Sequence, residues 1–202
     1  DNILLCVGDV ASKLVDPSDH TVAPIMGDAG SAILIQRRPS ESVFNLYSDG
    51  SGYSALIVPN SGARRDEKFL GHDPVMNMDG AQVFDFTLKR VPSMIEKIME
   101  EASVTSSDID HFVLHQPNKY ILQNIKKRMK LTDEKVPHLT QSVYGNQNSA
   151  SIPGTINGFL GNGYSRRCLT TVVAGFGIGL SWGAGIIKTE NIYAPKTFHL
   201  GE

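Results

Sequence analysis

Residues 168–187, CLTTVVAGFGIGLSWGAGII, carry no charged side chain. A run of about 18 apolar residues can span a bilayer as a helix, so this stretch decides between a membrane protein and a folded core. Five glycines and several hydroxyl residues interrupt it. It reads as two short strands, LTTVVAG and LSWGAGII, turned about GFGIG, which predicts a buried hairpin in a soluble protein.

The remainder alternates between strand and helix patterns. Residues 3–8, ILLCVG, and 29–36, AGSAILIQ, are short apolar runs without helical period, as expected of central strands. Between them VDPSDHTVAP is turn chemistry. SVFNLYSDG alternates as a strand and ends in a DGSG loop, and the polar stretch from Pro59 to Asp79 belongs at the surface. Val83, Phe84, Leu88, Val91, Ile95, Ile98 and Met99 then recur at helical spacing, with Pro92 predicting a kink or a break. HFVLHQ is a strand, and KYILQNIKKRMK is a helix with Ile121, Leu122, Ile125 and Met129 on one face. VPHLTQ continues the strands, residues 145–148 form a glycine and asparagine loop, and residues 151–160 form a helix. At 202 residues, one α/β unit is the expectation.

With 19 basic and 21 acidic residues there is no global field to gather nucleic acid or anionic lipid. Cys6 and Cys168 lie in apolar runs and are expected to be buried core thiols in a reducing compartment. The opening, DNILLCVGD, has neither an initiator methionine nor a signal peptide's pattern, and it reads as part of something longer.

Three places carry chemistry. His115 stands at a strand exit in HQPN, before a helix; alone, such a histidine is usually structural. GNQNSASIPG puts Asn146 in a glycine-flanked loop before a second helix, although asparagine and glycine equally make an ordinary turn. GFGIGLSWG lacks the dinucleotide fingerprint, since both its flanks are strands, and no Walker lysine is present. Its glycines let backbone approach a ligand and offer N–H groups to a developing oxyanion. An unrelated nucleotide-binding domain is therefore disfavoured.

IDHFVLHQPNKYI, GNQNSASIPGTI and VVAGFGIGLSWGAGII, in that order and spacing, resemble the C-terminal half of a ketoacyl-[acyl-carrier-protein] synthase III, one of the thiolase-like condensing enzymes. LLCVGDV, MGDAGSAILI, DGSG and the GAQVF helix fit the same family, so the likeness spans nearly the whole chain. It implies an α/β thiolase-like fold. Residues 41–202 would be the C-terminal domain, a mixed five-stranded sheet with helices on both faces, and residues 1–40 the last two strands of the N-terminal half.

By the same resemblance, the reaction is a decarboxylative Claisen condensation of an acyl-CoA primer with malonyl-[acyl carrier protein] in fatty acid or polyketide synthesis. His115 and Asn146 would be its catalytic pair. Phe176, Gly177 and Ile178 would form the active-site and oxyanion loop, with Ile178 where the archetype has glycine. Phe84 and Asn118 would line the pantetheine channel. Lys119, Lys126, Lys127 and Arg128 would meet the acidic carrier protein, with Tyr120 and Asp85 departing from the family's basic positions. No cofactor or metal is implied. A cytoplasmic homodimer is expected. The family's nucleophilic cysteine precedes the strand matching ILLCVG, so neither Cys6 nor Cys168 takes its place and the chain alone is expected to be inactive. The alternative is a non-catalytic subunit of the same fold that binds acyl thioesters or pairs with a catalytic partner.

Overall fold

The uncharged run forms a hairpin at the centre of the sheet. In this computed structural model, residues 2–37, 39–61, 67–160, 163–165 and 168–200 are described. In chain order the strands and helices are β1 (Asn2–Asp9), β2 (Ala29–Gln36), β3 (Ser42–Ser48), β4 (Leu56–Ile57), β5 (Asn77–Met78), α1 (Gly80–Glu101), β6 (His111–Leu114) and α2 (Lys119–Arg128). They continue with α3 (Leu139–Tyr144), α4 (Ser151–Leu160), β7 (Gly163–Ser165), β8 (Leu169–Gly177), β9 (Ser181–Thr189) and β10 (Ile192–Ala194).

Four strands form the main sheet in the order β3-β9-β8-β6. The hairpin β8–β9 is antiparallel, from Leu169 opposite Thr189 to Gly177 opposite Ser181, and β6 runs parallel to β8. The sheet is therefore mixed, with four strands among the described residues where five were expected. The segment read as a further strand, VPHLTQ, joins no sheet; the one backbone bond to β6 here comes from the residue before it, the Lys135 carbonyl accepting from the Phe112 N–H at 2.7 Å. Pro137 cannot donate to a ladder, and residues 139–144 coil into α3 instead.

Period-2 alternation separates the two faces of β8. Val172, Ala174 and Phe176 join Val91, Ile95 and Ile98 of α1 and Ile125 of α2 in one core cluster. Gly175 points the other way, with the Ile152 side chain of α4 3.8 Å from where a Cβ would stand. Helices thus cover both faces. On α4's face, Gly183 and Gly185 lie opposite Leu46 and Phe44. A Cβ on either glycine would come within 2.6 Å or 2.5 Å of those side chains, so the missing side chains are what let Leu46 and Phe44 lie over β9.

Capping sets the helix starts. Asp79 accepts from the Gln82 N–H at 3.0 Å to begin α1, and Asn118 accepts from the Ile121 N–H at 2.8 Å to begin α2. Pro92 neither breaks nor ends α1, which runs unbroken through it. It is buried beside Val91, Met94 and Ile95, and tertiary packing holds the turn that has lost a backbone bond.

β1 and β2 pair only with each other, from Asn2 opposite Gln36 to Asp9 opposite Ala29. Ile3, Leu4, Leu5 and Leu34 are exposed on this ribbon. Cys6 shares that exposure and so it is not a core thiol. Cys168 is exposed as well, just ahead of β8, with its Sγ 3.4 Å from a Glu190 oxygen. The hydrogen bond and charge of Glu190 push that thiol's pKa up. The polar stretch before α1 is anchored rather than free: Phe69 and Met76 are buried, and the Met76 N–H donates to the Leu14 carbonyl at 2.6 Å. Residues 62–66 of that stretch lie outside the described residues.

Two substitutions separate these contributions. Ile98→Ala, at a fully buried position, is expected to lower unfolding free energy by about 2–5 kcal/mol. Asp79→Ala, which removes a cap, is expected to lower it by about 1 kcal/mol. Urea titration followed by circular dichroism measures both.

Candidate active site

A cavity of about 840 Å³ opens beside the sheet and draws on both of its faces and on the end of the ribbon; Asp9, His115, Asn146, Ser151, Phe176 and Trp182 are among the residues that line it. Its geometry begins with a close crossing of two backbone segments. The Asn146 N–H donates to the Ile25 carbonyl at 2.7 Å, and the Gly27 N–H donates to the Asn146 carbonyl at 2.9 Å. A Cβ at Gly27 would stand 1.9 Å from the Tyr144 carbonyl oxygen. Gly145, at φ +72°, would place one 2.7 Å from the Ile25 carbonyl oxygen. Only glycine fits at these two positions.

The crossing buries Asn146 and orients it. Its Oδ1 accepts from the Asn148 N–H at 2.9 Å, which leaves the Nδ2 protons as the free donors of that side chain. Asp9, the last residue of β1, steadies the same loop by accepting from the Ser149 N–H at 3.1 Å and from the Ser149 hydroxyl.

His115 extends the pairing of β6 by one residue, its N–H donating to the Ala174 carbonyl at 2.8 Å. The fully buried Gln116 fixes the chain beyond it: Nε2 donates to the Leu114 and Pro137 carbonyls at 2.9 and 3.1 Å. The imidazole stands edge-on to Phe176, with centroids 5.3 Å apart at 80°, and its Nδ1 lies 2.7 Å from the Ser151 hydroxyl. Burial pushes its pKa from the ordinary 6.5 down to about 4, against the opposing pull of the Asn148 carbonyl. The ring is therefore neutral at physiological pH.

His115, Asn146, Asn118, Phe176, Gly177 and Ile178 all border this one cavity. Ile178 is 57 % exposed at its rim. The loop is held at its base, where Asp49 and Leu180 exchange backbone hydrogen bonds of 2.8 and 3.1 Å. Phe84 lines a neighbouring cavity of about 600 Å³ with Asn118, Lys119 and Tyr120, and its ring stacks on Tyr120 at 5.1 Å. The cations of α2 do not gather at one place. Lys119 borders the second cavity, whereas Lys126, Lys127 and Arg128 fill the last turn, roughly 10–14 Å further along the helix axis. Lys126 is ion-paired with Asp133. Among the described residues, no group of three or more His, Cys, Asp or Glu is disposed to hold a metal ion, and no helix is long and apolar enough to cross a membrane.

Sequence reasoning missed Ser151, Asp9 and Trp182. Ser151 starts a helix and so resembles an ordinary cap. Asp9 and Trp182 reach the cavity only through strand pairing that no local pattern reveals.

Residues 99–189 match the family described as 3-oxoacyl-[acyl-carrier-protein (ACP)] synthase III C terminal, and residues 1–52 match 3-oxoacyl-[acyl-carrier-protein (ACP)] synthase III. The chain belongs to the 3-oxoacyl-[acyl-carrier-protein] synthase III family. It is 34 % identical to a putative 3-oxoacyl-[acyl-carrier-protein] synthase 3 of Campylobacter jejuni over 96 % of this chain and 58 % of that one. It is 33 % identical to the beta-ketoacyl-[acyl-carrier-protein] synthase III of Synechocystis over 92 % of this chain and 58 % of the relative. The crystal structure of a Burkholderia xenovorans 3-oxoacyl-(acyl-carrier protein) synthase superposes with a TM-score of 0.84 at 32 % identity, covering 94 % of this chain and 56 % of that one. The thiolase-like fold expected of a synthase III is thus present, and the chain spans under three fifths of these relatives' lengths.

A neutral, half-buried imidazole has a measurable signature. Between pH 6.5 and 4 the unfolded chain binds a proton at this position that the folded chain does not, so stability falls as pH is lowered through that window. The loss from this one group has a slope of up to about 1.4 kcal/mol per pH unit. His115→Gln is expected to flatten that part of the stability profile, read by urea unfolding at successive pH values.

Proposed function

We propose that the whole protein to which this chain belongs condenses an acyl-CoA primer with malonyl-[acyl carrier protein] in fatty acid biosynthesis, and that His115 and Asn146 drive the decarboxylation. The observation that carries this reading is that two neutral side chains, each with one polar atom engaged by protein, border one cavity. In the reaction, the bond between the malonyl carboxylate and the α-carbon breaks. Carbon dioxide leaves, and the electron pair passes through the α-carbon to the thioester oxygen as an enolate. Hydrogen bonds from His115 and Asn146 to that oxygen stabilise the charge as it forms, in a site where water competes little. The enolate carbon then attacks an acyl thioester, and the thiolate departs.

Neither Cys6 nor Cys168 lines the cavity, so this chain supplies no thiol to hold the acyl group and does not condense by itself. We assign residues 1–40 to the N-terminal half of the fold and residues 41–202 to the C-terminal domain. Phe176, Gly177 and Ile178 form the loop beside the oxyanion, and Asn118 with Phe84 receives the pantetheine arm across the two adjoining cavities. Lys119 at the cavity edge is the best carrier-protein contact of the four cations; Lys127 and Arg128 extend the basic surface, and Lys126 is shared with Asp133. A cytoplasmic homodimer accords with this role.

In the whole protein, His115→Ala and Asn146→Ala are each expected to reduce malonyl decarboxylation by about 10²–10³-fold while transfer of the acyl primer to the enzyme thiol continues. Release of carbon dioxide from labelled malonyl carrier protein measures the first step, and mass spectrometry of the acyl-enzyme measures the second. Undiminished carbon dioxide release from both variants would overturn the assignment.

A further inference from the structure

The turn at residues 178–180 joins β8 to β9, and the DGSG segment at residues 49–52 cradles it. Asp49 continues the pairing of β3 with β9 one residue past Ser48 and Ser181, through the two backbone hydrogen bonds it exchanges with Leu180. The buried Leu180 side chain is seated on Gly52, where a Cβ would stand 2.5 Å from its Cδ1. Gly177, Ile178 and Leu180 therefore border the cavity from a base that DGSG holds.

That base is fastened in turn to α1 by Arg90. Asp49 Oδ1 is occupied within its own turn, accepting from the Ser51 N–H at 3.0 Å and the Ser51 hydroxyl at 2.6 Å. Its Oδ2 lies 3.8 Å from Arg90 Nη2. The Ser51 hydrogen bonds, and after them the Arg90 charge, hold the Asp49 carboxyl below the usual carboxylate range. The same guanidinium lies over the Trp182 ring, with Cζ 5.5 Å from its centroid. Trp182 is itself fixed, stacked on Tyr47 at 5.6 Å and met edge-on by Phe86 at 5.4 Å. Arg90 thus holds both supports of Leu180: Asp49, its hydrogen-bond partner, and Trp182, two residues further along the chain. An exposed ion pair or one cation–π contact alone contributes little. Here the two share one side chain, so the entropy of ordering it is lost once for both.

We infer that Arg90 is a positioning residue for the active-site loop, acting through Asp49 and Trp182 to keep the backbone at 177–180 in one place beside the cavity. Arg90 borders neither cavity, so it does not meet a ligand held there. The consequence for catalysis rests on the role proposed above for this loop, whereas the restraint on the loop does not.

Hydrogen–deuterium exchange of the whole protein, resolved to single residues by fragmentation in the mass spectrometer, reads the restraint. Arg90→Met keeps an unbranched apolar stem and removes the charge. It is expected to speed exchange of the Asp49 and Leu180 amides by about three- to tenfold, with Val172 and Ile186 in the middle of the β8–β9 pair exchanging as in wild type. In the same variant, kcat for malonyl decarboxylation is expected to fall by about three- to tenfold with KM unchanged, and Arg90→Lys is expected to restore part of both effects. Unaltered exchange at Asp49 and Leu180 in Arg90→Met overturns the inference, and so does exchange that quickens equally throughout the sheet, which would make Arg90 a general stabiliser of the fold. An unchanged kcat in a variant whose loop exchanges faster also overturns it. Faster exchange confined to those two amides, in a protein whose wild type releases no carbon dioxide, would sink the proposed function and leave the restraint standing.

Discussion

The contact on which the site depends is a backbone crossing closer than any side chain allows. Residues 25–27 and 144–146 exchange two hydrogen bonds, and Gly27 and Gly145 each face a carbonyl oxygen that a methyl group would strike. This crossing joins the N-terminal ribbon to the loop that feeds α4. Asp9 adds a second tie from β1 to Ser149. The ribbon is therefore the support that holds Asn146 against the sheet on which His115 rides.

The sheet does the complementary work of making space. β9 presents glycine at 183 and 185 where its neighbour β3 carries Leu46 and Phe44, so two large apolar groups lie over bare backbone. Both remain largely open to solvent on α4's side of the sheet, Leu46 at 82 % exposure. The opposite face, packed by α1 and α2, is sealed by Phe112, Ile95 and Ile98. Alternation along β8 divides the two faces, Val172 and Ala174 on the helix-packed side and Val173 and Gly175 on the other, and the cavity draws on both, since Phe176 of the packed side also lines it.

What could be read from the sequence tracks what is local. The hairpin, α1, α2 and α4 announce themselves through period and capping, and His115 and Asn146 through the company they keep. VPHLTQ reads as a strand but is none, because a short apolar run with proline has no period to show that it would coil into α3. Pro92 does not break α1, since propensity says nothing of the packing that holds a helix through it. The cysteines differ for the reverse reason: an apolar run implies a covering layer, and the part of β1 around Cys6 is exposed, as is Cys168. Ser151 was invisible because a serine at a helix start is expected there anyway.

The two polar side chains illustrate how a protein prepares a donor without a charge. In the reaction proposed above, a protonated imidazole would bind an anion more strongly, but it would also hold the ground-state carboxylate of a malonyl group and so resist its loss. Burial removes that option by taking the His115 pKa down to about 4. What remains is a pair of dipoles, each with one end already satisfied: Asn146 through its Oδ1 and the Asn148 N–H, and His115 through Nδ1 and Ser151. Because the protein occupies those ends, little reorganisation is needed when charge appears on the substrate. Asn148 takes part in both arrangements, its N–H orienting the carboxamide and its carbonyl facing the serine hydroxyl. The left-handed backbone at Asn148, φ 46°, turns these two groups of one residue toward two different partners.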